Sequence, residues 1–262
     1  MLRRRSAIAG SDNFPFLQGM IFSAMPTVRR SLGSAFSNAP SRHGGTRISI
    51  DEGNDVNYDK QLIIVMKTPP HSNLVQFGRN LFNKHRAQSE LVEYDVATKA
   101  ATIVNSCQMG GLTENSRIQI VAHGNLIGST AAGRTGKAMA KFIATKAAPG
   151  VKRLKKISLI VCYGAGNPTR PDSLGPNQGF AAEFHFCLRN DYQVDSQVTA
   201  RSATMIVNDQ GRKQTRVNYQ TFGEPYKNKA EGIKYLYSWV EGTQVVSTVS
   251  RATAIDDPME IG

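Results

Sequence analysis

Two short apolar runs of the sequence end on residues that can do covalent chemistry. RIQIVAHG carries His123 just before a glycine, and ISLIVCYG carries Cys162 at the matching point. Runs of this length, bounded by turn residues, predict buried strands of a parallel sheet. Functional groups of open α/β sheets collect at the carboxyl ends of such strands. If the two strands are neighbours, His123 and Cys162 project from the same edge.

A thiol beside a histidine predicts nucleophilic catalysis. The thiolate is the reactive form, and a cysteine with an ordinary pKa of about 8.5 needs a base or an imidazolium partner at neutral pH. The backbone N–H groups of Gly124 and Cys162 would then hold the oxyanion that forms after attack on a carbonyl. Taken singly, each residue is more often structural, because a buried cysteine usually only packs.

The elements around this pair alternate between strands and helices. The predicted strands are residues 61–66, 91–96, 118–124 and 157–162, the last within the segment ISLIVCYGAG, and the predicted helices are residues 74–85, 136–146 and 179–189. Such alternation predicts an α/β fold with a mostly parallel sheet covered on both faces. After Gln197 the sequence becomes β-rich: residues 198–217 predict a hairpin that turns at Asp209–Gly211, and residues 229–239 a closing strand.

Composition divides the chain into three parts. Residues 1–50 are rich in Arg, Ser, Gly and Ala and poor in acids, which is typical of a disordered basic leader or a secretion or targeting segment. Residues 56–242 are expected to form one folded domain, and residues 243–262 a flexible tail. The domain would stand almost alone behind its leader.

Charge and cysteine content restrict the function classes. The 262 residues carry a net charge of +12, with 40% hydrophobic and 20% charged residues, which suits a globular core. No run approaches the roughly 18 apolar residues of a membrane helix. The three cysteines lack CxxC spacing, which disfavours a disulfide framework and a zinc site. The charge predicts an anionic partner, whether nucleic acid, acidic membrane or small polyphosphate, although a solvated basic surface explains it equally well.

The order His-Gly and then Cys on successive strands resembles that of caspase-like cysteine peptidases. Within that group, the chain resembles the autoprocessing protease domain of large bacterial toxins, which inositol hexakisphosphate activates. These are the multifunctional autoprocessing repeats toxins and the large clostridial glucosylating toxins. The resemblance covers residues 58–239, and its most specific pieces are the helix end NLFNKH and the hairpin IVNDQGRK. The other pieces, in the family's order, are YDKQLIIVM, RIQIVAHG, ISLIVCYG, GFAAEF and KAEGIKYLYSW.

This resemblance implies a caspase-like α/β fold, with a mostly parallel central sheet flanked by helices and followed by a C-terminal β-hairpin flap. It implies a catalytic dyad of His123 and Cys162 and no metal. It also implies a set of basic residues that seat inositol hexakisphosphate, which gives the positive charge a destination. Those residues are Lys84, Arg117, Arg212, Lys213, Lys229 and Lys234.

The sequence departs from the toxins at three positions. The toxins commonly carry an acidic residue after the first strand, where this chain has Pro69. Either the dyad works alone, or His71 or another group substitutes. Ala122 and Val161 stand where the toxins usually have glycine. Crowding by Val161 leaves open a catalytically degenerate module that only binds inositol polyphosphates.

The family cleaves after leucine ahead of its own domain, and RRSLGSAF offers the Leu32–Gly33 bond, with Leu17–Gln18 less favoured. The resemblance implies a secreted toxin or effector that is silent until it reaches the host cytosol. Its substrate would be its own N-terminal segment, a host protein, or both. A nucleic-acid binder is disfavoured because aromatic residues do not interleave with Lys and Arg and no nucleic-acid motif occurs. No integral membrane association is expected.

Overall fold

The computed structural model of the chain describes residues 58–69, 72–106, 111–125, 129–166, 174–216, 227–228 and 233–249. The strands of its main sheet are β1 (Gln61–Lys67), β2 (Ser89–Asp95), β3 (Ala101–Asn105), β4 (Arg117–Ala122), β7 (Arg153–Val161), β8 (Asp195–Arg201), β12 (Lys234–Val240) and β13 (Thr243–Val249). The shorter strands are β5 (Gly124–Asn125), β6 (Thr130–Ala131), β9 (Thr204–Val207), β10 (Lys213–Arg216) and β11 (Lys227–Asn228). The helices are α1 (Ser72–Lys84), α2 (Gly136–Phe142) and α3 (Phe180–Asn190). A 3-10 turn, Arg86–Gln88, follows α1, and a π-helical turn, Ile143–Ala147, continues α2.

The main sheet has eight strands in the order β13-β12-β8-β7-β4-β1-β2-β3. The five strands from β8 to β2 run parallel, whereas β3, β12 and β13 pair antiparallel at the two edges. Every residue of β4 is buried, as expected of a central parallel strand covered on both faces. The predicted α/β class is therefore confirmed, with antiparallel additions at both edges.

Two different layers cover the sheet. On one face, which we call the α1 face, α1 and β9 pack over an apolar cluster that includes Ile63, Val65, Val121 and Ile160. The packing is close, because a Cβ on Gly78 of α1 would lie 2.3 Å from Val65 Cγ2. On the opposite face, the α2/α3 face, α2 and α3 contact each other, and α3 also contacts β8 and β12.

The predicted hairpin is shorter than expected. Residues 198–201 belong to β8 of the main sheet, and only β9 and β10 form the hairpin, with the predicted turn at 209–211 between them. The prediction of one hairpin over 198–217 was therefore wrong in its first strand. Alternation of apolar and polar residues shows that a segment is a strand, but it does not show which partner the strand pairs with.

The start of the expected tail is a strand. Residues 243–249 form β13, which pairs with β12 along its whole length, so the prediction of a flexible tail was wrong for this segment. Glu241 and Gly242 both have positive φ, 49° and 80°, as a two-residue hairpin turn requires. Residues 250–262 and the predicted leader, residues 1–50, lie outside the described residues. No described helix is long and apolar enough to span a membrane.

A buried histidine ties β13 to α3. His185 is 1% exposed, and its Nδ1 lies 2.7 Å from Nε2 of Gln244 on β13. The Trp239 ring stacks on His185 with a centroid separation of 5.3 Å. Burial lowers the pKa of His185 to about 4, so the folded protein holds this imidazole neutral.

This burial predicts an acid-sensitive contribution to stability. An unfolded histidine, with a pKa of about 6.5, takes up its proton before folded His185 does. The contribution is therefore complete above about pH 6.5 and falls as the pH decreases towards 4, by up to about 1.4 kcal/mol per pH unit. Urea unfolding between pH 7 and 4.5 should show that His185→Gln loses stability less steeply than the wild type. Parallel pH profiles would contradict this assignment.

Candidate active site

The register of β4 and β7 brings the two predicted catalytic residues to one edge of the sheet. Ala122 and Val161, the last residues of these parallel strands, are Cα partners. His123 and Cys162 follow them directly, so they leave adjacent strands at the same level, and alternation along each strand directs both towards the α1 face. The chain then turns sharply, because Tyr163 has a positive φ of 54°. Strained backbone of this kind is frequent at functional sites.

Gly124 packs directly against the backbone of the cysteine. A Cβ at this position would lie 1.9 Å from the Cys162 carbonyl oxygen and 2.8 Å from Val161 Cγ1. No residue other than glycine fits there without displacing the loop that carries the thiol. The predicted oxyanion donors, the N–H groups of Gly124 and Cys162, therefore belong to segments in contact.

The thiol itself lies against strand β9. The Met205 N–H donates to Cys162 Sγ at 3.4 Å, and the thiol faces the Met205 carbonyl oxygen at 3.9 Å. Burial raises the pKa of Cys162 above its ordinary value, although the Met205 and Cys162 amides partly offset this. This arrangement therefore disfavours the reactive thiolate form of Cys162. Sequence reasoning missed Met205, whose only signal was its inward position in the hairpin.

The residues that differ from the toxin pattern lie at the carboxyl ends of the strands. Val161 is 1% exposed, and alternation directs it towards the α2/α3 face, opposite to Cys162. Pro69 is exposed after β1, and His71 lies outside the described residues. Among the described residues, no group of three or more His, Cys, Asp or Glu side chains could hold a metal ion.

Three of the predicted phosphate-binding residues lie around one turn. Lys84 ends α1, and a Cβ on Gly211 of the hairpin turn would lie 2.8 Å from Lys84 Cβ. Arg212 and Lys213 follow this glycine directly. Because the hairpin turn packs against the end of α1, the backbone positions of these three cationic residues lie close together.

The other predicted phosphate-binding residues are more dispersed. Arg117 is buried at the amino-terminal end of β4, where its Nη2 donates to the Tyr58 hydroxyl at 2.8 Å and its guanidinium lies 3.7 Å from the Tyr58 ring centroid. Its Nε donates to Gln61. Lys234 of β12 is the register partner of Arg201 at the carboxyl end of β8. Lys229 lies outside the described residues.

Residues 56–216, well over half of the chain, match the family model of the peptidase C80 family. The chain belongs to this family. The prediction of a cysteine peptidase related to the protease domains of the multifunctional autoprocessing repeats toxins and large clostridial toxins is therefore confirmed. A search of the curated proteins gives no match to this peptidase. The individual roles of His123, Cys162 and the basic residues stay predictions.

The first prediction from this site concerns Gly124. Gly124→Ala would place a methyl group 1.9 Å from the Cys162 carbonyl oxygen, so the loop must move. A displacement of about 1 Å at reacting groups costs about 100-fold in rate, and we expect at least that loss in peptide turnover. Gly175→Ala is the control, because nothing lies within 4 Å of its added Cβ. Full activity of Gly124→Ala would contradict the arrangement.

The second prediction concerns the reactivity of the peptidase thiol. Because burial raises the pKa of Cys162 above its ordinary value, its alkylation by iodoacetamide should accelerate about tenfold per pH unit and keep rising through the range where an ordinary thiol, with a pKa of about 8.5, levels off. Intact mass spectrometry without added polyphosphate measures this rate, and Cys162→Ala gives the background from the other cysteines. A plateau below pH 8 would contradict the buried, protonated thiol.

Proposed function

We propose that this peptidase is activated by inositol hexakisphosphate and cleaves peptide bonds after leucine, with Cys162 as nucleophile and His123 as general base and acid. The observation that carries the proposal is the path of the β9–β10 hairpin. One end of the hairpin contacts the thiol, and its turn docks beside a group of cations. A ligand bound at the turn therefore has a physical route to the nucleophile.

The part of the hairpin that contacts the thiol is strand β9, whose inward residues are buried. Met205 and Val207 are 5% and 2% exposed and pack into the apolar cluster of the α1 face. Because the Met205 backbone bonds to Cys162 Sγ, any shift of β9 along the sheet changes the environment of the thiol.

The turn of the hairpin is held against α1 by side-chain hydrogen bonds. Asn80 Nδ2 donates to the Val207 carbonyl oxygen at 3.3 Å and to Asp209 Oδ1 at 3.4 Å, and the side chain of Asn80 is buried. Polyphosphate oxygens at Lys84, Arg212 and Lys213 would form charge-assisted hydrogen bonds. They would also remove the mutual repulsion of these cations, so the docked turn would be favoured.

The energy that such a coupling needs is small. A ligand shifts a conformational equilibrium only by its difference in affinity for the two states. A tenfold change in the active fraction requires about 1.4 kcal/mol, and one hydrogen bond to a charged group contributes about 1.5–3 kcal/mol. A single phosphate contact made only with the docked hairpin would therefore be sufficient.

The chemistry uses only groups of the chain and water. His123 takes the thiol proton, and the Cys162 thiolate attacks the carbonyl carbon of the leucine whose peptide bond is cleaved. The N–H groups of Gly124 and Cys162 stabilise the oxyanion. The intermediate collapses to a thioester as the imidazolium protonates the leaving amine. Water, deprotonated by His123, then hydrolyses the thioester and restores the thiol.

The substrate and the setting are part of the proposal. Leu32–Gly33, which lies outside the described residues, offers a leucine followed by a small residue ahead of the peptidase domain. We propose cleavage there, in a host protein, or in both. Because inositol hexakisphosphate is abundant in eukaryotic cells and bacteria lack it, the peptidase would be secreted and would act in the host cytosol.

The test is an intact-mass and gel time course with and without micromolar inositol hexakisphosphate. The wild type with ligand should release residues 1–32, whereas Cys162→Ala should stay intact. Leu32→Ala should remove this cut, and Leu17→Ala is the matched control that should keep it. Cleavage by the wild type without ligand would contradict activation by inositol hexakisphosphate. An intact mass, from a protein that does hydrolyse a leucyl peptide when ligand is added, would contradict autoprocessing.

A catalytically degenerate module that binds inositol polyphosphates is the second candidate. The observations that favour it are the raised pKa of Cys162 and the proline at position 69. In that case the ligand would raise the melting temperature of the wild type and of Cys162→Ala alike, and neither would cleave any peptide.

A further inference from the structure

A tight turn holds the backbone of the strand end that carries His123. Strands β5 and β6 pair with each other directly after this residue, and the Ala132 N–H donates to the His123 carbonyl oxygen at 2.8 Å. Ala131 and Arg134 close the turn with two reciprocal backbone hydrogen bonds of 2.9 Å. We call these four residues the 131–134 turn. The position of the His123 backbone therefore depends on it.

This turn is strained at a residue that is not glycine. Ala132 and Gly133 both have positive φ, 50° and 70°, which is the pattern of a two-residue hairpin turn. Glycine adopts such angles freely, whereas an alanine in this region brings its Cβ close to the following carbonyl oxygen. A residue in such a conformation persists only where the surrounding structure holds it there. The 131–134 turn therefore needs an anchor.

The side chain of Arg134 provides that anchor. Its guanidinium lies 5.3 Å from the ring centroid of Phe142 on α2 and 5.7 Å from that of Tyr94 on β2, within the range of a cation–π contact. Its Nη2 also donates to the Tyr94 hydroxyl at 3.5 Å. Phe142 and Tyr94 are both buried, and their rings contact each other. The arginine thus ties the turn to the packed core under α2.

The charge of Arg134 is costly in this place. Its Nε is buried and has no hydrogen-bond partner among the described residues. The partners that the structure gives this cation are two rings and one hydroxyl, and none of them carries a negative charge. A buried charge without an ion partner opposes folding, and an apolar side chain of similar length would fill the space without that cost. Stability alone therefore does not account for an arginine here.

We propose that Arg134 is a positioning residue for His123, which it holds through the 131–134 turn. This inference rests on the proposed role of His123 as general base and acid. Arg134 packs with α2, which covers the α2/α3 face, whereas alternation directs the His123 side chain towards the α1 face. The imidazole is therefore held from behind, through its own backbone. Gly124 links the same strand end to the Cys162 carbonyl, so a displaced turn would disturb both reacting groups.

The first measurement is turnover of a leucyl peptide with saturating inositol hexakisphosphate. Arg134→Met keeps the length of the side chain but loses the cation. Its kcat should fall about tenfold or more while KM changes less than twofold, because misplaced reacting groups slow the chemical step. Arg134→Lys keeps a cation for the two rings and should recover most of the loss. Arg153→Met is the matched control, because Arg153 is exposed at the amino-terminal end of β7, and it should turn over as the wild type does.

The pH profile distinguishes positioning from a general loss of structure. A leucyl nitrophenyl ester isolates the attack of the thiol, because its leaving group needs no proton. In the wild type His123 takes the thiol proton during this attack, whereas a variant with a misplaced imidazole depends on thiolate that is already ionised. The deficit of Arg134→Met should therefore be largest near pH 7 and shrink as the pH rises towards 9. A constant deficit over this range would overturn the inference and identify Arg134 as a structural residue.

Hydrogen exchange tests the anchor without any turnover. The Ala132 N–H, which donates to the His123 carbonyl, should exchange at least tenfold faster in Arg134→Met, while the amides of β4 and β7 keep their wild-type rates. Unchanged exchange at Ala132 would overturn the inference. If Arg134→Met does not fold, Phe142→Leu, which removes one of the two rings, replaces it and should give the same changes in kcat, pH profile and exchange.

The outcomes also separate this inference from the proposed function. If His123→Ala is inactive and Arg134→Met keeps the wild-type kcat, the positioning role is wrong and the proposed function stands. If the wild type hydrolyses neither substrate, or if His123→Ala turns over as the wild type does, the proposed function is wrong and the positioning role is overturned with it.

Discussion

The parallel register of β4 and β7 is the constraint on which the candidate active site of this peptidase depends. It places His123 and Cys162 one residue beyond a pair of Cα partners, and the contact of Gly124 with the Cys162 carbonyl locks the two strand ends together. β4 is buried throughout, and β7 is buried from Ile157 to Val161, so movement of these strands would disrupt the core. The edge of the sheet that carries His123 and Cys162 is therefore rigid, and the proposed activator would have to act on an element outside the sheet.

The β9–β10 hairpin is such an element, and it has opposing effects on the Cys162 thiol. Its Met205 N–H donates to Cys162 Sγ, which favours the thiolate, but the same packing removes the thiol from water and raises its pKa. Burial is the larger of the two effects. This arrangement disfavours the thiolate of Cys162, and the proposed activator would act by changing that balance through the hairpin.

Much of the fold could be read from the sequence, because the central strands are continuous apolar runs and the helices have clear periodicity. The family followed from HG, CYG and NDQGRK, which are local in the chain. The prediction of strand pairing was wrong at two places. It assigned residues 198–201 of β8 to the hairpin, and it treated residues 243–249, which form β13, as a tail. The Met205–Cys162 contact and the Arg201–Lys234 pair were also out of reach, since both join residues more than 30 positions apart through a register that only the folded sheet defines.

The α1 face shows how an apolar core and a cationic surface can share one sheet. Under α1 and β9 it is apolar, with Ile63, Val65, Val121 and Ile160, and towards β8 and β12 it becomes polar and cationic. The hairpin contributes to both parts: Met205 and Val207 pack into the apolar cluster, whereas Lys213 lies opposite Val207 on the neighbouring strand. An anion bound on the cationic side, as proposed, would therefore act on an element whose other half belongs to the core. Because a packed core transmits strain, a change in the position of the turn would be carried to Met205 and from there to the Cys162 thiol.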